Sequence, residues 1–182
     1  MTDTSSRSKV LPFIVAGVLA AAAGAWWFQH AAMPAAPAAK SGDPLPANFW
    51  SQSFDTLDGK TIQLSHYKGK PLILNFWASW CPPCVKEMPD IDRFHQEMKG
   101  HGWQVLGLAI DGPTPVREFL AKVPVHIDIG LAGFGGTELA QALGNTAGGL
   151  PFTVVISADG RIVQRKLGGT HYDELMQWAQ RP

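Results

Sequence analysis

The sequence predicts an α/β domain that mixes parallel and antiparallel strands, preceded by a single transmembrane helix. Three observations predict it. Two continuous apolar runs, Pro71–Trp77 and Trp103–Ile110, are each followed by a segment of helical periodicity. Phe152–Ser157 and Arg161–Leu167 flank Ala158-Asp159-Gly160, a hairpin signal. An uncharged apolar run, Val10–Phe28, lies near the N-terminus.

That run is about 19 residues long, and at about 1.5 Å per residue it reaches roughly 28 Å, close to a bilayer's hydrocarbon thickness. Arg7 and Lys9 precede it, and the flank behind it carries no charge until Lys40. The positive-inside rule therefore places residues 1–9 in the cytoplasm, spans the inner (cytoplasmic) membrane with 10–29, and leaves the rest in the periplasm. Small residues after the run (Ala31, Ala32, Ala35, Ala36) keep a cleaved signal peptide open, although the length favours an uncleaved anchor. Residues 30–47 are rich in Ala and Pro, with Pro34, Pro37, Pro44 and Pro46 blocking regular helix, and read as a semi-rigid tether. The domain then occupies 48–182.

Within it, Gln52–Leu64 reads as a hairpin around Leu57-Asp58-Gly59-Lys60. Phe49 and Trp50 ahead of it suit packing on the sheet better than membrane contact. Pro71–Trp77 suits a central strand buried on both faces. Pro82–Lys99 is helical, with Val85, Met88, Ile91, Phe94 and Met98 on one face and an internal Pro89 expected to kink it. Trp103–Ile110 is a second buried strand. Thr114–Lys122 is a helix with Val116, Phe119 and Leu120 inward. A short strand is expected at Val125–Ile129 and a short helix at Thr137–Leu143, ended by Gly144. After the C-terminal hairpin, Thr170 with Asp173 reads as a capping box for a last helix whose apolar face is Tyr172, Leu175, Met176 and Ala179.

Composition narrows the function. From Ser41 onward 12 basic residues face 14 acidic ones, a balance of −2, which argues against a nucleic-acid partner. The only cysteines are Cys81 and Cys84. So short a loop cannot staple a fold, which leaves redox chemistry or metal binding. A structural zinc needs four ligands, and His66, His95, His101, His126 and His171 are scattered without zinc-motif spacing. His30 and Met33 in the tether carry no copper assignment. No metal and no cofactor is assigned.

A thiol attacks a disulfide only as the thiolate. With a free pKa of about 8.5, roughly one cysteine in thirty is ionised at neutral pH. A helix N-terminus lowers that pKa through its unpaired N–H groups and its dipole. Cys81 stands between a buried strand and a helix. Pro82 and Pro83 fit the helix's first turn, where missing donors cost little. Cys84, one turn in, is shielded and able to reach Cys81, as a resolving thiol must.

Phe76-Trp77-Ala78-Ser79-Trp80-Cys81-Pro82-Pro83-Cys84 resembles the active-site strand and turn of thioredoxin-like proteins. Asn75 before it, Glu87-Met88-Pro89 after it and the N-terminal anchor are similar to the TlpA- and ResA-like branch, over about residues 45–180. The resemblance implies a thioredoxin-like fold: a central mixed β-sheet flanked by helices, with an N-terminal β-hairpin and an inserted strand-helix unit between Ile110 and Pro151. It implies Cys81 as nucleophile, Cys84 as resolving thiol, and Pro151 as a cis-proline that, with Leu150, presents backbone to substrate. Trp80, Pro82 and Pro83 join the docking surface; a core position for Trp80 stays open. Asn75 stands where thioredoxin has a buried titrating acid. Glu87 is implied to tune cysteine protonation, against the plainer reading of a helix-start acid held by the dipole.

The resemblance implies an extracytoplasmic protein disulfide reductase, fed by a membrane electron donor. Apocytochrome c and an oxidase assembly factor are the substrate candidates it offers. Reduction potential decides direction, from about −270 mV in thioredoxin to about −120 mV in DsbA. Three rivals remain: a non-enzymatic assembly adaptor, a metal-delivery protein, and a thiol peroxidase. The last is disfavoured because Ala78 stands where a peroxidase has Thr.

Overall fold

The computed structural model describes residues 42–180. The predicted membrane span 10–29, the cytoplasmic segment 1–9, and most of the tether, with His30 and Met33, lie outside them. Among the described residues no helix is long and apolar enough to cross a membrane.

Among the described residues eight strands form one sheet. In chain order they are β1 Asp43–Pro44, β2 Ser53–Asp55, β3 Thr61–Gln63, β4 Leu72–Trp77, β5 Gln104–Ala109, β6 Asp128–Leu131, β7 Phe152–Ile156 and β8 Arg161–Leu167. Their order across the sheet is β1-β8-β7-β4-β5-β6-β2-β3. The helices are α1 Pro82–Met98, α2 Pro113–Lys122, α3 Gly133–Ala142 and α4 Tyr172–Ala179. β4, β5 and β6 run parallel; β7 is antiparallel to β4, and β8 to β7. The sheet is mixed and helices cover both faces, a thioredoxin-like fold.

β4 is buried on both faces, as its unbroken apolar sequence requires. Its alternate residues divide the core. Leu72, Leu74 and Phe76 join Leu106, Leu108, Phe49 and α3's Leu139 on one side. Ile73 and Trp77 join Met88, Ile91 and Phe94 of α1, Val116 and Phe119 of α2, and Leu175 of α4 on the other. Phe49 is fully buried edge-on to Trp50, so both belong to the domain. α1 continues through Pro89.

Four expectations need correction. Asp43 and Pro44, placed in the tether, pair with Ile162 and Arg161 and extend the sheet. The short strand lies at Asp128–Leu131 rather than Val125–Ile129, because its register is set by pairing with Leu106–Ala109. α3 begins at Gly133, one turn before Thr137. Gly136 lets that turn approach β5, since a Cβ there would sit 2.7 Å from Ile110 Cδ1. Thr170 does not cap α4: His171 is the N-cap, without a side-chain cap bond, and Thr170 is buried and used elsewhere.

Candidate active site

β4 and β5 are parallel and end at the same edge, so the loops leaving them converge there. After β4 the chain turns through Ala78-Ser79-Trp80, with the Cys81 N–H bonded to the Ala78 carbonyl at 3.2 Å. Asp111, just past β5, holds that turn. Its Oδ2 accepts from the Ser79 N–H at 2.8 Å and from Ser79 Oγ at 2.5 Å.

Cys81 is the N-cap of α1 and is disulfide-bonded to Cys84. A helix start offers N–H groups at its second and third positions to the cap side chain. Pro82 and Pro83 occupy the first two positions and have no N–H. The remaining donor is the Cys84 N–H, 3.4 Å from Cys81 Sγ. Both cysteines are buried, but only Cys81 reaches the surface groove beside the disulfide; Cys84 is fully enclosed. This is the arrangement expected of an attacking and a resolving sulfur.

The groove has a volume of about 510 Å³. Trp80, Cys81, Pro82 and Pro83 form one side, Ile110 and α3's Thr137 and Ala140 another, and Asn145 with Gly148-Gly149-Leu150 the third. None of these side chains carries a charge. Trp80 is 67% exposed, which rules out its core reading and places it on the rim. The Leu150–Pro151 bond is cis, as the resemblance implied.

Glu87 lies beyond the first turn of α1, past the place of a helix-start acid. It is buried between α1 and the sheet, where Oε1 accepts from Asn75 Nδ2 at 2.8 Å and Oε2 from the Thr170 N–H at 2.7 Å. Asn75 Nδ2 also lies 3.1 Å from Thr153 Oγ1. Burial pushes the Glu87 carboxyl up to about 7, while the bonds from Asn75 and Thr170 and the charge of Lys166 pull the other way. An acid titrating near neutrality is suited to holding or yielding a proton during thiol chemistry.

The predicted site residues gather at this groove. Trp80, Cys81, Pro82, Pro83 and Leu150 line it, Cys84 is bonded to Cys81, and Pro151 follows Leu150. Glu87 stands apart, in the Asn75–Thr153–Thr170 cluster. Asp111, Asn145 and Thr170 were missed. Asp111 had a usable signal, its place just after a buried parallel strand. Asn145 and Thr170 act through contacts that no local pattern announces. No grouping of metal-ligating side chains occurs among the described residues.

A redox-active C-x-x-C pair on a helix N-terminus, beside a cis-proline loop in a thioredoxin-like fold, defines a thiol-disulfide oxidoreductase. Comparison with known proteins agrees. The chain belongs to the Redoxin family, whose pattern matches residues 37–176. It is 32% identical over 130 residues to the thiol-disulfide oxidoreductase ResA of Bacillus cereus, covering 69% of this chain and 70% of that one. Among solved structures, a thiol:disulfide interchange protein of Chlorobium tepidum TLS superposes with TM-score 0.64 at 27% identity, over 79% of this chain and 97% of that one. StoA of Bacillus subtilis does so with TM-score 0.59 at 25% identity, over 70% and 95%. The chain is thus a ResA-like member of the thioredoxin superfamily.

Proposed function

We propose that this oxidoreductase works as a protein disulfide reductase on the periplasmic side of the inner membrane, held there by residues 10–29 with its N-terminus in the cytoplasm. Cys81 thiolate attacks a substrate disulfide and forms a mixed disulfide. Cys84 then attacks Cys81 Sγ, releasing the substrate as thiol and leaving the Cys81–Cys84 disulfide. Two electrons pass to the substrate, and a membrane electron donor must return them, because the periplasm is kept oxidising.

The observation that carries the direction is the single N–H donor at Cys81 Sγ. Strong oxidants of this kind stabilise the reduced form by holding the thiolate with a pKa of about 3.5. With the second-position donor replaced by Pro83 and only the Cys84 N–H left, the sulfur lacks part of that stabilisation, which favours a reducing centre. Haem-attachment cysteines of an apocytochrome c, or an oxidase assembly factor, are the substrates this role fits.

Two measurements test the proposal. Equilibration with glutathione should give a potential at or below that of thioredoxin, about −270 mV; a value of about −120 mV sinks the reductase reading. In cells, Cys84→Ser should hold an apocytochrome or assembly-factor cysteine on Cys81. Capture of many unrelated proteins would point to a general reductase instead.

A further inference from the structure

The loop between α3 and Pro151 contains a buried amide that the chemistry above does not use. Asn145 is 4% exposed and lines the groove beside Cys81. Its backbone is fixed at both ends: its N–H donates to the Ala140 carbonyl at 2.9 Å, and its carbonyl accepts from the Gly148 N–H at 3.1 Å. Its side chain reaches forward, Nδ2 donating to the Gly149 carbonyl at 2.9 Å. Its Oδ1 is buried with no partner among the described residues. An unpaired buried acceptor costs stability, so the amide's useful contribution is the Nδ2 bond.

That bond fixes a peptide plane. The Gly149–Leu150 peptide is trans, so its carbonyl and the Leu150 N–H point in opposite directions. With the Gly149 carbonyl held toward Asn145, the Leu150 N–H is directed away from it. Among the described residues neither the N–H nor the carbonyl of Leu150 has a backbone partner, and β7 begins only at Phe152. Leu150 is partly exposed on the groove wall that Cys81 shares. Two adjacent glycines, Gly148 (φ +66°) and Gly149, leave this peptide free to rotate unless something holds it.

We infer that Asn145 is a positioning residue for substrate: by clamping the Gly149 carbonyl it fixes the orientation of the Leu150 N–H and carbonyl, the backbone that the family resemblance already implies for pairing with an extended, cysteine-bearing peptide. This rests on the reading of the protein as an enzyme acting on protein disulfides. It predicts that Asn145 matters for substrates with a peptide backbone and not for small disulfides.

The test uses the reduced full-length chain and two probes with the same leaving group. One is a short peptide whose single cysteine is in a disulfide with thionitrobenzoate; the other is Ellman's reagent, which has no peptide backbone. Asn145→Asp, nearly isosteric but without the donor, and Asn145→Ala should each lower the ratio of peptide rate to Ellman's rate about tenfold, the value of one net hydrogen bond. The loss should appear as a higher half-saturating peptide concentration. In the unaltered protein, methylating the peptide's backbone nitrogens beside its cysteine should give a similar loss, whatever the variants' stability. An unchanged ratio, or full reactivity with the methylated peptide, overturns the inference while leaving disulfide exchange intact. If the unaltered protein reacts with Ellman's reagent but with no peptide, the protein-substrate reading and this inference fall together.

Discussion

Asn75 on β4 donates a hydrogen bond to Glu87 on α1 across the interface between sheet and helix, at 2.8 Å and with both side chains buried. The amide cannot titrate, so it holds the carboxyl without competing for its proton. Replacing Asn75 with Ala should leave Glu87 Oε1 without its donor, at a cost of about 1–3 kcal/mol in denaturant unfolding. It should also raise the Glu87 pKa further, because that bond favours the ionised form. Carboxyl titration by NMR in the variant reads both the direction and the partner.

Glu87 makes stability depend on pH in a defined window. Its folded pKa, about 7, lies above the ordinary value of 4.5. Its contribution is therefore fully present below the unfolded value and is lost as pH rises toward and through the folded one. The loss amounts to about 3–4 kcal/mol at most, from roughly 1.4 kcal/mol per pKa unit. Urea midpoints measured from pH 4 to 8 (about half a unit apart) should fall across that range. In Glu87→Gln that slope should largely vanish, and an unchanged slope would show that the carboxyl titrates elsewhere.

Pro83 removes the second-position donor from the helix start that faces Cys81 Sγ. Pro83→Ala restores it. The Cys81 pKa, read from the pH dependence of alkylation in the reduced protein, should drop by about one unit, the effect of one bond to a charged sulfur. The potential should rise with it, because the reduced form gains the stabilisation. No change in pKa would mean that the first-turn prolines do not set the sulfur's acidity.

Asp111 ties the active-site turn to the end of β5 through Ser79. Asp111→Ala removes both bonds and should cost about 1–3 kcal/mol. The exchange rate should fall as well, because the turn carrying Cys81 loses its anchor. Stopped-flow disulfide exchange alongside urea unfolding separates the two effects; a loss of stability with an unaltered rate would limit Asp111 to a structural part.

The elements legible in the sequence were those decided locally. The apolar run of β4 and the Ala158-Asp159-Gly160 turn each specify their structure within a few residues. Cys81 and Cys84 stand at a strand-to-helix junction that is itself local, whereas the cis bond before Pro151 is implied by the family resemblance and by no local pattern. The errors have one cause, partners distant in sequence. β1 exists because Asp43 pairs with Ile162, far along the chain. β6 is placed by pairing with β5 rather than by the Val125–Ile129 stretch that suggested it. Thr170 fits a capping box on paper, but its N–H is taken by Glu87. At the site the same cause hid Asp111, which acts through Ser79, 32 residues earlier; Asn145 acts through Gly149, four residues on, in a loop without a repeating pattern.

Cys81 as the attacking sulfur and Cys84 as the releasing one is the claim on which the rest depends. The direct measurement is mixed-disulfide formation by the single-cysteine variants with one peptide disulfide, followed by mass. Cys84→Ser should form a stable adduct on Cys81 quickly, while Cys81→Ser, its remaining sulfur enclosed, should form little. Equal reaction by both variants, or faster reaction through Cys84, would contradict it.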